Sequence, residues 1–382
     1  MGTDTAAVTD IRPFTVEVPG ADLDDLRERL GRTRRPRELP GQGWDRGAPL
    51  PFLRGLAEYW RTGFDWRRRE RELNALPQFT ADIGGQTVHF AHVRSPEPDA
   101  TPLLLNHGWP NSLVEFLPLI GHLTDPRAHG ADPARAFHVV VPSAPGFGFS
   151  AAPSATGWSV ARTAGLWARL MRALGYERYG VQGGDLGAYV APAVAEADPD
   201  RVTGVYITAG IGFPTEADVP GMTPDELAHY ERMRQWSTGG LDHHALLRRG
   251  PQTFDYGWAD SPVALLGWMA HKFQEFHVSQ GVFTDVIDRD LFLANVSLYW
   301  FTRTAGTSSW PMYDTEDSPW PAGQRHVPTG VYSGPPGIRR LAELRNDVVH
   351  WPEHNPGRHH FVTMESPGPY AADLRAFFAE VG

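Results

Sequence analysis

The chain has 382 residues, of which 41% are hydrophobic and 21% are charged, so it can bury a large core and is not globally disordered. Its 35 Lys and Arg residues against 45 Asp and Glu residues give a net charge of −10, which disfavours binding to nucleic acid through bulk phosphate attraction. The sequence contains no cysteine, which excludes disulfides, thiolate metal sites and a cysteine nucleophile.

The N-terminal sequence shows no basic segment followed by an apolar stretch, and no apolar run reaches the ~18 residues that cross a bilayer. We therefore expect a cytoplasmic protein whose partner is a small molecule and not a membrane or a nucleic acid. These features do not determine the oligomeric state, and a homodimer stays open.

The first 77 residues combine the helical patterns DLDDLRERL and PFLRGLAEYW with a loop-like stretch rich in Gly and Pro. FTADIGGQTVHFAHV then predicts an antiparallel hairpin that turns at Gly84 and Gly85. Short apolar runs alternate with helical stretches after the hairpin, in PLLLNHG, FHVVVPSAPG, YGVQGGDLG and VTGVYIT. This alternation predicts a right-handed, mostly parallel sheet.

Between about residues 212 and 322 the alternation gives way to helices and loops rich in aromatic residues. Strands resume at HVPTGVYS and DVVHW, and PYAADLRAFFAEV predicts a final helix. A helical insertion in such a sheet is typical of a lid over an α/β core. The sequence thus predicts four segments, which are an extension (1–77), the first part of the core (78–211), the lid (212–322) and the second part of the core (323–382).

Asp185 is the candidate nucleophile. The run Gly183-Gly184-Asp185-Leu186-Gly187 follows an apolar strand and precedes a helical stretch, which is the context of a G-x-nucleophile-x-G elbow. A carboxylate is suited to attack an sp³ carbon that bears a leaving group, which forms an alkyl ester on the enzyme. Water must then cleave that ester with the help of a base and an oxyanion hole. The alternative is that Asp185 only caps the following helix.

Two further segments carry candidate catalytic groups. His107-Gly108-Trp109-Pro110 follows a predicted strand, so the Trp109 amide could bind an anion together with the Leu186 amide. His360 lies between the last strand and the terminal helix, where the base of such a hydrolase belongs in the order nucleophile, acid, histidine.

Motifs in order along nearly the whole chain resemble the microsomal-type branch of the epoxide hydrolase family within the α/β hydrolases. They are RPRELPGQGWDRGAPL, EYWRTGFDWRRRERELNALPQF, HGWP, PSAPGFGFS, GGDLG, GPQTFDYGWADSP, NVSLYW and HFVTMESP. The resemblance implies an α/β-hydrolase core with a mostly parallel sheet, a helical lid and an N-terminal extension, with no cofactor and no metal. It also implies that Asp185 attacks an epoxide carbon, that His360 activates water, and that the Trp109 and Leu186 amides hold the oxyanion. We expect a bulky hydrophobic substrate, such as the epoxide of a polycyclic natural product.

The sequence departs from the family pattern at two places. Family members carry an Asp or Glu that orients the histidine, and the motif places Gly337 there. Carboxylates at Glu343, Asp347 and Glu353 could approach His360, although their spacing does not establish it.

The second departure concerns the lid tyrosines, which bind the epoxide oxygen in this family. The first of these positions holds His243 and the second holds Met312, with Tyr313 beside it. His243, Tyr313 and Tyr256 are the candidate donors, and Met312 and His107 are further candidate substrate contacts.

Other functions remain open because of these departures. The scaffold could open an epoxide without adding water, by cyclisation or C–C bond formation in secondary metabolism, or it could be a non-catalytic binding protein. A haloalkane dehalogenase is disfavoured because Leu186 stands where that family often has an indole donor. His350-Trp351-Pro352-Glu353-His354 matches a zinc-peptidase pattern, but Pro352 opposes the helix that such a site needs.

Overall fold

The computed structural model describes residues 8–208, 210–239, 242–277, 281–313, 323–332, 337–356 and 360–382. Its strands are β1 (Val8–Phe14), β2 (Gln78–Ile83), β3 (Gln86–Val93), β4 (Thr101–Asn106), β5 (Phe137–Pro142), β6 (Tyr179–Gly184), β7 (Val202–Thr208), β8 (Pro328–Val331) and β9 (Asp347–His350).

Its α-helices are α1 (Gly20–Gly31), α2 (Leu50–Thr62), α3 (Trp66–Asn74), α4 (Leu117–Thr124), α5 (Val160–Ala173), α6 (Leu186–Ala197), α7 (Pro224–Gly239), α8 (His243–Arg249), α9 (Pro251–Asp260), α10 (Pro262–Phe276), α11 (Arg289–Thr302), α12 (Trp310–Tyr313), α13 (Arg339–Ala342), α14 (Val362–Glu365) and α15 (Pro367–Val381).

The described strands form one sheet in the order β1-β2-β3-β5-β4-β6-β7-β8-β9. The pairs β1–β2, β2–β3 and β3–β5 are antiparallel, and all pairs from β5 to β9 are parallel. The prediction of a mostly parallel sheet is therefore confirmed. Parallel strands place their carboxyl ends at one edge, so the segments after β4 and β6 meet there.

The predicted hairpin forms between β2 and β3, with Ile83 opposite Gln86 across the turn. Gly84 and Gly85 have φ values of +64° and +80°, which glycine adopts without the penalty that a Cβ brings.

Strand β1 was not predicted, since the sequence of the extension indicated only helices and loops. The strand pairs antiparallel with β2 at the edge of the sheet. Its central residues are all exposed and it contains Pro13, so it lacks the alternation of apolar and polar residues that marks a half-buried strand.

Helices α7 to α12 lie in sequence between β7 and β8. Side chains of α1 and α2 form hydrogen bonds with two of these helices, α9 and α11. The buried Trp60 of α2 donates from Nε1 to Ser297 Oγ of α11 at 2.9 Å. Tyr59 donates to Asp290 Oδ1 at 2.7 Å, and Arg29 of α1 binds Asp260 at the end of α9. The four segment boundaries stay predictions. No helix within the described ranges is both long and apolar enough to cross a membrane.

Candidate active site

The turn between β6 and α6 holds Asp185 in a conformation that only its surroundings can enforce. Asp185 has φ +53° and ψ −118°, which is strained for a residue with a Cβ. Glycine is required on both sides of it. A Cβ on Gly183 would lie 2.0 Å from the carbonyl oxygen of Gly187, and a Cβ on Gly187 would lie 2.4 Å from that of Asn106. The elbow therefore has the form that the glycine pattern predicts.

The loop after β4 donates a hydrogen bond to the Asp185 carboxylate. The Trp109 amide donates to Asp185 Oδ1 at 2.7 Å. Gly108 lets the two segments approach, because a Cβ there would lie 2.6 Å from the Cβ of Asp185. Leu186 begins α6, where amide groups lack partners within the helix and favour negative charge. The structure thus brings Trp109, Asp185 and Leu186 together.

Helix α11 holds this loop in place from the lid side. Asn295 donates from Nδ2 to the Pro110 carbonyl at 2.7 Å and accepts from Ser112 Oγ at 2.7 Å. The Tyr299 hydroxyl donates to the Asn111 carbonyl at 2.7 Å. Both α11 side chains are fully buried. The motif NVSLYW contains both residues, but nothing in the sequence alone indicated that they support the Trp109 amide.

His360 lies beside the same loop. Its Nε2 is 3.0 Å from the carbonyl oxygen of Trp109, and its ring stacks on Phe276 with centroids 4.8 Å apart. A carbonyl only accepts, so Nε2 carries the hydrogen in this arrangement. Burial lowers the pKa of His360, while the nearby Asp185 opposes that shift. The ring is therefore neutral near pH 7 and able to accept a proton.

No side chain fits at Gly337, the position at which the sequence resemblance leads one to expect the catalytic acid. A Cβ there would lie 2.4 Å from the carbonyl oxygen of Ile211, and Ile338 donates its amide to the Gly212 carbonyl at 2.8 Å. Glu343 is exposed and pairs with Arg339 at 2.7 Å. Asp347 and Glu353 are also exposed.

A small cavity of about 10 Å³, room for about one water molecule, lies in front of Asp185 and is called here the front cavity. Its lining comprises Trp109, Asp185, Leu186, His243, His244, Leu247, Ser308, Ser309, Met312 and Tyr313. His243 stacks on Trp109 with centroids 5.1 Å apart and planes 7° apart. The Tyr313 hydroxyl is hydrogen-bonded to His244 Nδ1, and burial raises the pKa of Tyr313, which keeps the phenol protonated. Tyr313 can therefore donate to a ligand in this cavity.

Two of the candidate substrate contacts, Tyr256 and His107, lie outside the front cavity. Tyr256 is 73% exposed, so the structure does not bring it to Asp185. His107 is buried, with its Nε2 accepting from the Ala144 amide at 3.1 Å and its Nδ1 3.1 Å from the Gly108 carbonyl. Burial lowers the pKa of His107 to about 4, so it is a neutral structural residue that joins two loops.

His244 and Glu115 belong to the site but were not among the predicted residues. His244 stands next to His243 in the run Asp242-His243-His244, and only the start of α8 determines which ring meets Tyr313. Glu115 is buried close to Asp185 on a 3₁₀ turn, Leu113–Phe116, five residues after Pro110. No group of three His, Asp or Glu residues in the described part of the chain is arranged to hold a metal ion.

The sequence matches the family described as "Epoxide hydrolase N terminus" over residues 11–116 and "alpha/beta hydrolase fold" over residues 101–237. It is 39% identical over 376 residues to a Stigmatella aurantiaca protein that is named provisionally as an epoxide hydrolase, covering 97% of this chain and 85% of that one. It is 31% identical to epoxide hydrolase 1 of Oryctolagus cuniculus, covering 96% and 88% of the two chains. This chain belongs to the epoxide hydrolase family.

Solved structures of the family superpose over almost the entire chain. The epoxide hydrolase of Aspergillus niger matches with a TM-score of 0.85 at 30% identity, covering 99% of this chain and 98% of that one. The juvenile hormone epoxide hydrolase of Bombyx mori matches with a TM-score of 0.82 at 27% identity, covering 98% and 94%. The predicted α/β-hydrolase fold, the family and the assignment as an enzyme of the hydrolase class are thereby confirmed.

Proposed function

We propose that this epoxide hydrolase family member opens a hydrophobic epoxide through an ester on Asp185 and then hydrolyses that ester with His360 as base. The observation that carries the proposal is the 2.7 Å hydrogen bond from the Trp109 amide to Asp185 Oδ1, at a strained elbow that faces the front cavity. Because Trp109 holds Oδ1, the other carboxylate oxygen is free to attack an epoxide carbon. Oδ1 then becomes the ester carbonyl, which the Trp109 and Leu186 amides stabilise as an oxyanion during hydrolysis.

Both steps balance with the groups present. In the first, the carboxylate oxygen forms a bond to carbon while the C–O bond of the epoxide breaks, and the Tyr313 hydroxyl gives its proton to the developing alkoxide. In the second, the oxygen of water bonds to the ester carbon of Asp185 and one water proton passes to His360. The bond between that carbon and the diol oxygen then breaks, and the imidazolium returns its proton to that oxygen. The other water proton, left on the Asp185 carboxyl group, is released to solvent, and Tyr313 takes up a proton in its place.

The substrate is proposed to be a bulky hydrophobic molecule, of the size of a polycyclic natural product, with its epoxide at an accessible end. An outer cavity of about 360 Å³ adjoins the front cavity and shares Leu247, Ser309 and Tyr313 with it. The epoxide end would enter the front cavity beside Asp185, and the outer cavity suits the larger remainder of the molecule.

The test uses the mass of the Asp185 peptide and oxygen-18 water. Wild-type enzyme given excess epoxide in labelled water should release an unlabelled diol in the first turnover, since that oxygen comes from Asp185. Later turnovers should release labelled diol, and the label should appear in the Asp185 peptide. His360→Gln should accumulate the ester, whereas Asp185→Asn should form none. A diol that carries solvent oxygen in the first turnover would exclude the ester route.

A second candidate is ring opening without water, by an internal or second carbon nucleophile. It is favoured by the lack of a carboxylate at Gly337 and by the contact of His360 Nε2 with the Trp109 carbonyl, which keeps the ring hydrogen on Nε2 and leaves only Nδ1 to accept a proton. This candidate predicts a product without solvent oxygen after many turnovers. A non-catalytic binding protein would instead retain its ligand affinity in Asp185→Asn and form no product in either protein.

A further inference from the structure

A second cavity lies behind the nucleophile and is called here the rear cavity. Its volume is about 10 Å³, room for about one water molecule, and Asp185 lines both this cavity and the front cavity. The rear cavity is lined by Gly108, Glu115, Gln182, Gly184, Asp185, Thr208, His360 and Thr363. It therefore holds the nucleophile and the base together, with one further carboxyl group.

That carboxyl group, Glu115, is 7% exposed. Burial raises the pKa of Glu115 to about 8; hydrogen bonds with the Asn111 side chain and the Gly108 backbone oppose the rise, and the charge of Asp185 adds to it. At neutral pH the side chain is therefore a carboxylic acid, which has one O–H donor and an acceptor oxygen. Such a group can bind water in two ways without adding a charge next to the Asp185 ester.

Gln182 supplies an independent sign that this cavity accepts a hydrogen-bonding ligand. Its Nε2 donates to the Tyr370 hydroxyl at 2.8 Å, which fixes the amide. Its Oε1 is buried and has no hydrogen-bond partner in the described part of the chain. An unsatisfied buried carbonyl oxygen destabilises the folded state, and one water with two or more polar partners removes that cost.

We propose that Glu115 is a positioning residue that holds the hydrolytic water in the rear cavity, between Asp185 and His360. The inference rests on the proposed ester mechanism and concerns only its second step. Glu115 exchanges no proton in that step. It hydrogen-bonds the water while the water oxygen bonds to the ester carbon and the proton passes to His360. This role compensates for Gly337, since a base without an orienting acid gains from a water that a second group already orients.

Glu115→Leu tests the assignment because leucine removes both hydrogen-bonding functions at similar volume. Ester formation and ester hydrolysis are measured separately, by rapid quench and mass of the Asp185 peptide after a single addition of an epoxide such as a styrene oxide derivative. Ester formation should stay within about twofold of wild type, and ester hydrolysis should slow at least ~10-fold, so the ester accumulates as in His360→Gln. Glu115→Gln, whose amide both donates and accepts, should retain hydrolysis within about threefold.

The matched control is Glu365→Leu. Glu365 is a half-buried carboxyl group on α14 whose pKa is also raised by burial, but it does not line the rear cavity. Both steps should keep their wild-type rates in this variant. If Glu115→Leu does not fold, Gln182→Met decides the question, because it removes the unpartnered oxygen and should slow ester hydrolysis alone.

Two outcomes overturn the assignment. One is wild-type ester hydrolysis in Glu115→Leu, and the other is an equal loss in both steps, which a merely structural role would produce. Failure of the proposed function has a different signature, since wild-type enzyme and His360→Gln would then form no ester with any epoxide tested.

Discussion

Tyr313 and His244 form a hydrogen-bonded pair in the front cavity. When the His244 hydrogen is on Nδ1, the ring donates to the phenol oxygen and leaves the phenol hydrogen for the epoxide oxygen. Burial lowers the pKa of His244, so the ring stays neutral and can adopt this tautomer. His244 then donates to Tyr313, and Tyr313 donates to the developing alkoxide. The first hydrogen bond polarises the phenol and so strengthens the second.

Tyr313→Phe is therefore expected to slow ester formation about 100-fold, a usual contribution of one positioned acid, and to leave ester hydrolysis nearly unchanged. Tyr256→Phe is the matched control, since it removes the hydroxyl of a lid tyrosine that is 73% exposed. Rapid-quench measurement of the ester on Asp185 separates the two variants. Equal rates of ester formation in Tyr313→Phe and Tyr256→Phe would remove Tyr313 from the proposed mechanism.

At the scale of elements, the sequence was sufficient to predict the structure wherever contacts within one short segment determine the conformation of its backbone. The elbow is an example, because a Cβ on Gly183 would collide with the carbonyl oxygen of Gly187, four residues further along the chain. The face that a lid helix turns to the core depends instead on packing between distant segments. For that reason Tyr256 on α9 and Tyr313 on α12 were equally good candidates from sequence, and only the structure distinguishes them.

The sequence did not predict edge strand β1, nor the hydrogen bonds by which α11 supports the loop after β4. The two failures have related reasons. The exposed residues of β1 carry no periodic pattern, and its partner β2 lies about 70 residues further along the chain. Asn295 acts on a loop that is 185 residues away in sequence. A buried Asn in an apolar helix indicates that some polar partner exists, but it does not identify the partner.

Asn295→Ala should weaken both the fold and the site. It leaves the Pro110 carbonyl and the Ser112 hydroxyl without their buried partner, so we expect a loss of about 1–3 kcal/mol in the free energy of unfolding. The freed loop carries the Trp109 amide, so both ester formation and ester hydrolysis should slow. Thr302→Ala, near the end of the same helix and away from that loop, is the control in urea unfolding and in the two-step assay. A stable variant with normal rates in both steps would refute this role of α11.

At the scale of the whole molecule, buried histidines make the free energy of unfolding decrease as the pH falls into the acid range. Burial lowers the pKa of His89 to about 3 and that of His107 to about 4, whereas the unfolded chain protonates them near 6.5. Below pH 6.5 the unfolded state thus binds more protons than the folded state. Each of these residues then lowers the free energy of unfolding as the pH falls, by up to about 1.4 kcal/mol per pH unit.

Glu115 acts in the opposite direction because its pKa is raised, from 4.5 to about 8. Between these values the folded state holds a proton that the unfolded state has lost, so Glu115 stabilises the protein as the pH falls from 8 towards 4.5. Glu115→Gln removes this linkage and keeps the neutral shape of the side chain. The free energy of unfolding of wild type minus that of Glu115→Gln should therefore increase by about 1 kcal/mol for each unit by which the pH is lowered from 8 to 5. Urea unfolding at pH 5, 6, 7 and 8 measures this difference. A constant difference would mean that Glu115 is ionised in the folded protein, and the neutral carboxylic acid proposed behind Asp185 would then be excluded.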